Sequence, residues 1–238
     1  MKSPALPQSA DPIPPQASAR LLSIQIGRVR EVEAEATSRR ESWTTAFWKG
    51  SVSRPLPLRT LGLEGDQQAD QKHHGGIDKA VCVYSGDHFG TWRSELVDLL
   101  PSAESFSAGA FGENFTITGW TEDDVCIGDR WRVGEALVEV SQPRQPCWKL
   151  ASRWGIVDLP KCVIRNGATG WYLRVIAEGL VGPSDTIELC QRVAPNWTVR
   201  RANEVMYHSR KDRELTRQLA SLEVLSAAWR DDLEKRLR

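Results

Sequence analysis

From Trp197 to its last residue the chain contains neither glycine nor proline, whereas all 18 glycines and 13 prolines fall before that point. Glycine opens backbone conformations that side chains forbid, and proline fixes φ and removes a donor, so the two residues cut a chain into short pieces. A segment without either can wind into helices. The composition shifts near Val193, and the contrast predicts a punctuated, β-rich body followed by a helical appendage.

The appendage carries its own start signals and apolar stripes. Thr198 and Ser226 are suited to cap a first and a last helix. Trp229, Leu233 and Leu237 recur at i, i+4 and i+8, and Leu215, Leu219 and Leu222 make a second stripe at i, i+4 and i+7 in the middle. Three short helices with one apolar stripe each must pack on one another or on the body. Their charges alternate in sign, as on a solvated face. The whole chain holds 31 basic and 31 acidic residues, which implies no general affinity for nucleic acid; a slight basic excess in the helical end leaves a nucleic-acid-binding bundle as the minor reading.

The body reads as many short strands with one or two helices. LLSIQIG alternates, placing Leu22, Ile24 and Ile26 on one face. VSRPLPLRTLGLEGD is extended, with prolines that suit an edge or a turn. Ala80 to Tyr84 is strand-like, His88, Trp92, Glu95, Leu96 and Leu99 follow helical spacing, and Pro101 ends that run. VCIGDRWRVGEALVEVSQPR predicts a hairpin turning at Gly134-Glu135, with Val138 and Val140 on one face. The fold class expected is mainly β, a barrel-like core with a few helices, plus a small C-terminal three-helix domain. At 238 residues the chain is long enough for one sizeable core and such an appendage. Most of its ten tryptophans are expected in the core.

The leader, residues 1–20, has five prolines and no apolar stretch of a secretory signal, which predicts a disordered tail. No apolar run approaches the ~20 residues of a membrane helix. The five cysteines are scattered, with no CxxC pair, which argues against zinc ribbons, iron–sulfur ligation and thioredoxin-like motifs and fits free thiols in a reducing cytoplasm.

Three stretches carry chemistry. In SQPRQPCWKL, Pro143 and Pro146 stiffen the approach to Cys147, while Arg144 and Lys149 favour thiolate over thiol. A thiolate on a stiff loop in a positive field suits a nucleophile or a ligand for a soft metal; the alternative is a buried free cysteine. GLEGDQQADQKHHGGIDKAV gathers Asp66, Asp70, His73, His74, Asp78 and Lys79 around Gly75 and Gly76. The glycines allow close backbone approach, and the histidines and lysine suit a phosphate or oxo group. A zinc or two-metal hydrolase is the competing reading, although adjacent histidines on extended chain point to opposite faces. In GAFGENFTITG, Glu113 and Asn114 precede a strand, and the Asn114 amide is able to read a heterocycle.

Together GLEGDQQADQKHHGGIDKAV, FGENFTITG, VCIGDRWRVGEALVEVSQPRQPC and NGATGWYLRV resemble, in that order, the MOSC domain related to the C-terminal part of molybdenum cofactor sulfurases. They are most similar to its YiiM-type branch, the 6-N-hydroxylaminopurine resistance proteins. The helical end resembles the 3-alpha domain often appended there. The resemblance implies a MOSC β-barrel over residues 21–192 and a three-helix domain over 193–238. It implies a molybdopterin-type molybdenum cofactor with Cys147 ligating the metal. His73, His74, Gly75, Gly76, Lys79, Glu113 and Asn114 would border that cofactor, and Arg144 would pair with its phosphate. TTAFWKGSVS keeps the family's lysine as Lys49 but lacks the proline that follows it there, and GPSDTIEL has Ser184 where the family often has glycine.

The function implied is reduction of a small N-hydroxylated compound to its amine. Cys147 would hold the metal, Glu113 or His74 would deliver a proton, and a separate flavoprotein reductase would supply electrons. The second reading is a carrier that holds the cofactor or its sulfur without turnover. No nucleic-acid or membrane partner is expected, and a homodimer is compatible with the appendage.

Overall fold

The computed structural model describes residues 18–33, 42–100 and 106–238, so most of the leader and Pro101 lie outside the described residues. Thirteen strands and seven α-helices are found among them. Chain order begins with β1 (Ala19–Ile26), the small hairpin β2 (Arg30–Val32) and β3 (Trp43–Thr45), then β4 (Gly50–Val52), β5 (Leu56–Arg59) and β6 (Gly62–Leu63). A loop with α1 (Gln71–His74) and the 3₁₀ turn Ile77–Lys79 leads into β7 (Val81–Ser85), α2 (Phe89–Glu95) and β8 (Phe115–Thr118). Then come β9 (Arg130–Val133), β10 (Ala136–Pro143), α3 (Trp148–Trp154), α4 (Leu159–Asn166), β11 (Trp171–Ala177), β12 (Gly179–Val181) and β13 (Thr186–Gln191). The appendage holds α5 (Val199–Asn203), a π-wound continuation over Glu204–His208, α6 (Arg213–Ala220) and α7 (Ala227–Leu237).

Seven strands run β13-β9-β10-β11-β7-β8-β1, and β1 pairs back to β13 at Ala19↔Ile187 and closes a barrel, with β4 added outside on β1. Closure removes the free edges that a sheet of this size would otherwise expose. All pairs within it are antiparallel except β7 with β8, where Val83 faces Phe115. A parallel pair needs a long crossover. Here that crossover carries α2 and the segment that leads into Glu113 and Asn114.

The hairpin forms as expected, with Val133 opposite Ala136 across Gly134-Glu135, and both Val138 and Val140 buried. The face assigned to β1 does not hold. Its register slips between Leu21 and Ser23, so Ala19, Leu21 and Ile24 point inward and Leu22 is 50% exposed. A bulge adds one residue to the strand and inverts the alternation beyond it. Pro57 sits in the middle strand of the sheet β12-β5-β6, not at an edge. Its neighbour Leu180 bonds instead to Glu135, accepting from the Glu135 N–H at 2.9 Å, so the missing proline donor leaves no gap there.

The helical end is capped as read: Thr198 Oγ1 accepts from the Arg201 N–H at 3.1 Å, and Ser226 Oγ from the Trp229 N–H at 3.3 Å. Asp212 caps α6, a signal not drawn from the sequence. Leu222 lies beyond the end of α6, so that stripe is shorter than its spacing suggested. Trp229 and Leu233 are fully buried and join the barrel interior, around Trp131, Val138 and Trp171, in one large core. A second, separate core gathers Tyr84, Trp92, Phe106, Phe111, Leu150 and Leu159 under α2, α3 and α4. Among the described residues no helix is long and apolar enough to cross a membrane.

Candidate functional site

Strand β10 ends at Pro143, and the next residues carry the chain over the barrel rim. The Arg144 N–H donates to the Gly170 carbonyl at 3.0 Å, which aims the Arg144 side chain inward. Gly170 has φ +72°, and a Cβ there would sit 2.4 Å from the Val83 carbonyl, so only glycine lets β7 and the start of β11 approach so closely. Cys147 follows in extended backbone as the N-cap of α3, and Leu150 on that helix is anchored in the second core. From the barrel, Cys82 on β7 stands opposite Tyr172 on β11. The loop before β7 brings His74 and Lys79, and the one after β3 brings Phe47 and Lys49. Gly112, with φ +72°, packs its bare backbone on the Phe47 ring, which a Cβ would strike at 2.8 Å.

These segments enclose a cleft of about 610 Å³, open mouth included, and Cys147 is on its wall. Four cations, Lys49, Lys79, Arg144 and Lys149, face two carboxylates, Asp66 and Asp70. Lys49 is matched: its Nζ pairs with Asp66 Oδ1 at 2.5 Å, both side chains nearly buried. Arg144 is not. Its residue is 5% exposed, yet its guanidinium makes no hydrogen bond or ion pair with a described residue; it lies over the Phe47 ring, 5.8 Å from its centre. An ionised group so placed carries a desolvation cost that an anion would relieve.

The electrostatics follow from that surplus of positive charge. Burial pushes the His74 imidazole down to about 4, helped by Lys149, Arg144 and Lys79, so it is neutral at physiological pH. Burial pushes the Cys82 thiol up to about 11 and the Tyr172 phenol higher still, and the two stand opposite each other across β7 and β11. Burial also lowers the Lys79 ammonium, against the pull of Asp78, Asp70 and Asp232.

Of the residues singled out from sequence, Cys147, His74, Lys79, Asn114, Arg144 and Lys49 line the cleft. Gly76 borders a neighbouring groove, and Gly75 lines neither. The His73 side chain lies outside the described residues.

Glu113 is placed differently from the role expected of it. It is fully buried, off the cleft wall, and its carboxylate accepts from the Gly109 N–H at 2.6 Å, the Phe111 N–H at 3.0 Å and the Thr116 hydroxyl at 2.8 Å. Those three donors occupy the carboxylate in folding the loop, away from the cleft. Asn114 reaches the wall, but its amide donates to Asp66 and to the Gln25 carbonyl and accepts from the Cys82 N–H, which leaves nothing to read a heterocycle. Sequence reading missed Asp66 as the partner of Lys49, and Cys82 as a second thiol on the wall. Neither has a local signal, because each partner is supplied by a distant strand or loop. Among the described residues no three His, Cys, Asp or Glu side chains converge as a metal-binding group, so the hydrolase alternative finds no ligand set there.

The sequence model of the MOSC domain matches residues 70–188, and that of the YiiM-like 3-alpha helix domain matches 197–238. The chain belongs to the MOSC family. The MOSC match spans the His74, Lys79, Cys82, Asn114, Arg144 and Cys147 positions of the cleft wall. YiiM of Escherichia coli is 41% identical over 196 residues, 82% of this chain and 86% of that protein. A reductase of Gibberella moniliformis is 36% identical over 189 residues, 78% of this chain but 32% of that longer protein. The crystal structure of YiiM from Geobacillus stearothermophilus superposes with a TM-score of 0.76 at 36% identity, covering 92% of this chain and 100% of that one.

Proposed function

We propose that the cleft holds the molybdenum cofactor, with Cys147 as the protein ligand to molybdenum, and that the protein reduces small N-hydroxylated compounds such as hydroxylaminopurines. The observation that carries this reading is a thiol and an unpartnered, buried guanidinium on one cationic wall. The residues suit the group. A thiolate is a ligand that soft metals prefer, and a guanidinium pairs bidentately with phosphate. Arg144, with Lys149 beside it, would hold the phosphate, and Cys147 the metal. When bound, the cofactor supplies the two-electron chemistry that, with two protons, turns an N-hydroxyl group into the amine and water.

The chain's own residues bind and orient. His74 enters as a neutral imidazole, so it relays a proton and does not store one. The pair Lys49–Asp66, braced by Asn114, keeps the opposite wall rigid. Electrons would come from a separate flavoprotein reductase, since the chain shows no flavin or nicotinamide fingerprint. The MOSC membership and the similarity to a protein called a reductase support the reading.

The test is to express the chain in a host that makes molybdopterin, measure molybdenum per chain, and supply a chemical reductant with an N-hydroxylated base. The expected result is loading and amine formation, with Cys147→Ala folded but inactive. Loading without amine would favour the carrier, and full activity of Cys147→Ala would end the assignment.

A further inference from the structure

The turn Ile77–Lys79 carries Lys79 into the cleft, and it is held from behind by the C-terminal helices. Ser141 Oγ on β10 donates to the Asp78 carbonyl at 2.5 Å, and the Ser141 carbonyl accepts from the Ser226 N–H at 2.9 Å. The Asp78 carboxylate pairs on one side with Arg174 Nε at 2.9 Å and accepts on the other from the Ala227 N–H, the first residue of α7, at 3.4 Å. Arg174 is fixed in turn by Glu139 at 3.0 Å, which also binds Arg130 at 2.7 Å. Asp232, further along α7, is among the carboxylates that offset the burial of the Lys79 ammonium. One residue is therefore joined to two strands of the barrel and to the start of the last helix, while its neighbour faces the cleft.

We propose that Asp78 is a positioning residue through which the three-helix domain holds Lys79 in the cleft wall, making that domain part of the ligand site. The proposal rests on the cleft being the ligand site. It needs no chemistry from Asp78 itself, whose carboxylate points toward Arg174 and α7.

Two variants cut the clamp from opposite sides. Asp78→Ala removes the carboxylate. Ala227→Pro removes only the N–H aimed at it, at the first helical position, where proline is tolerated. The preceding Ser226 already has the extended conformation (φ −56°, ψ 148°) that a following proline requires. Hydrogen exchange on the cofactor-free protein should show amides of residues 74–80 losing protection at least tenfold in both variants. Strands β10 and β11 should keep theirs. Asp78→Asn, which retains an acceptor for Ala227, should fall between. Molybdenum per chain after expression in a cofactor-producing host should drop severalfold in Asp78→Ala.

Unchanged exchange at residues 74–80, or an equal loss across the barrel, would overturn the clamp. So would looser exchange with molybdenum content undiminished. If the unsubstituted protein acquires no molybdenum, the proposed function fails, and the exchange comparison still decides whether α7 holds the turn.

Discussion

Arg144 sets stability against binding, and Arg144→Met separates the two. The guanidinium is buried with no hydrogen bond or ion pair to a described residue. Burial works to lower its pKa, but the facing groups Cys82, Tyr172, Cys147 and Glu113 outweigh it and raise the value, the first two only when they are ionised. At neutral pH the Cys82 thiol, with its value near 11, and the Tyr172 phenol are uncharged. Glu113 already has three donors and loses no bond when Arg144 goes. Removing a poorly compensated buried charge while keeping the volume commonly gains about 1–4 kcal/mol. The contact with Phe47 gives back roughly 0.5–1 kcal/mol of that. The net change therefore runs from about 0 to about 3.5 kcal/mol, a Tm rise of at most roughly 7–14 °C for a domain of this size. An anion held by one charge-assisted hydrogen bond would lose about 1.5–3 kcal/mol, or roughly 10- to 150-fold in affinity. Urea denaturation of cofactor-free protein measures the first effect, and molybdenum content the second. A cofactor-free Arg144→Met protein less stable than the parent by 1 kcal/mol or more would show that the cation is already satisfied, and the argument for an anion site would go with it.

His88 Nε2 meets the fully buried Glu122 carboxylate at 2.6 Å. Burial works to lower the imidazole's pKa, but the hydrogen bond and charge of Glu122 outweigh it and raise the value. The stability this contributes is complete below the unfolded value near 6.5 and fades as pH rises through the raised folded value. Thermal melts between pH 6 and 9 should therefore fall more steeply for the parent than for His88→Gln; parallel curves would refute the linkage. Ser184 has φ +75°, where a side chain costs about 1–2 kcal/mol and glycine loses roughly 0.5–1 kcal/mol of backbone entropy. Ser184→Gly should raise stability by about 0.5–1 kcal/mol in urea, and a decrease would mean that the hydroxyl holds the turn.

What the sequence made legible was local. The turn at Gly134-Glu135, the caps at Thr198 and Ser226, and the stiff cationic surroundings of Cys147 each rest on residues adjacent in the chain. The bulge at Leu21–Ser23 was hidden because Leu22, Ile24 and Ile26 make an unbroken apolar alternation, and the shift that buries Leu21 instead of Leu22 is made by pairing with β8. Glu113 and Asn114 read as chemistry because polar residues beside glycine look free in one dimension. Their partners are a folded loop, the β1 backbone and Asp66, and only the closed barrel brings all of them together.

Phe47, packed against the second core, and Cys82 and Tyr172, on barrel strands, share the cleft wall. Cys147 rides on a helix rooted in that second core, while Cys82, Lys79 and Tyr172 rise from the barrel side around the first. Anything that bridges the thiol to that opposite wall stitches a seam between two separately packed bodies. Substitutions in the layer of α2, α3 and α4 can thus reset the spacing of the two jaws while the barrel keeps its shape.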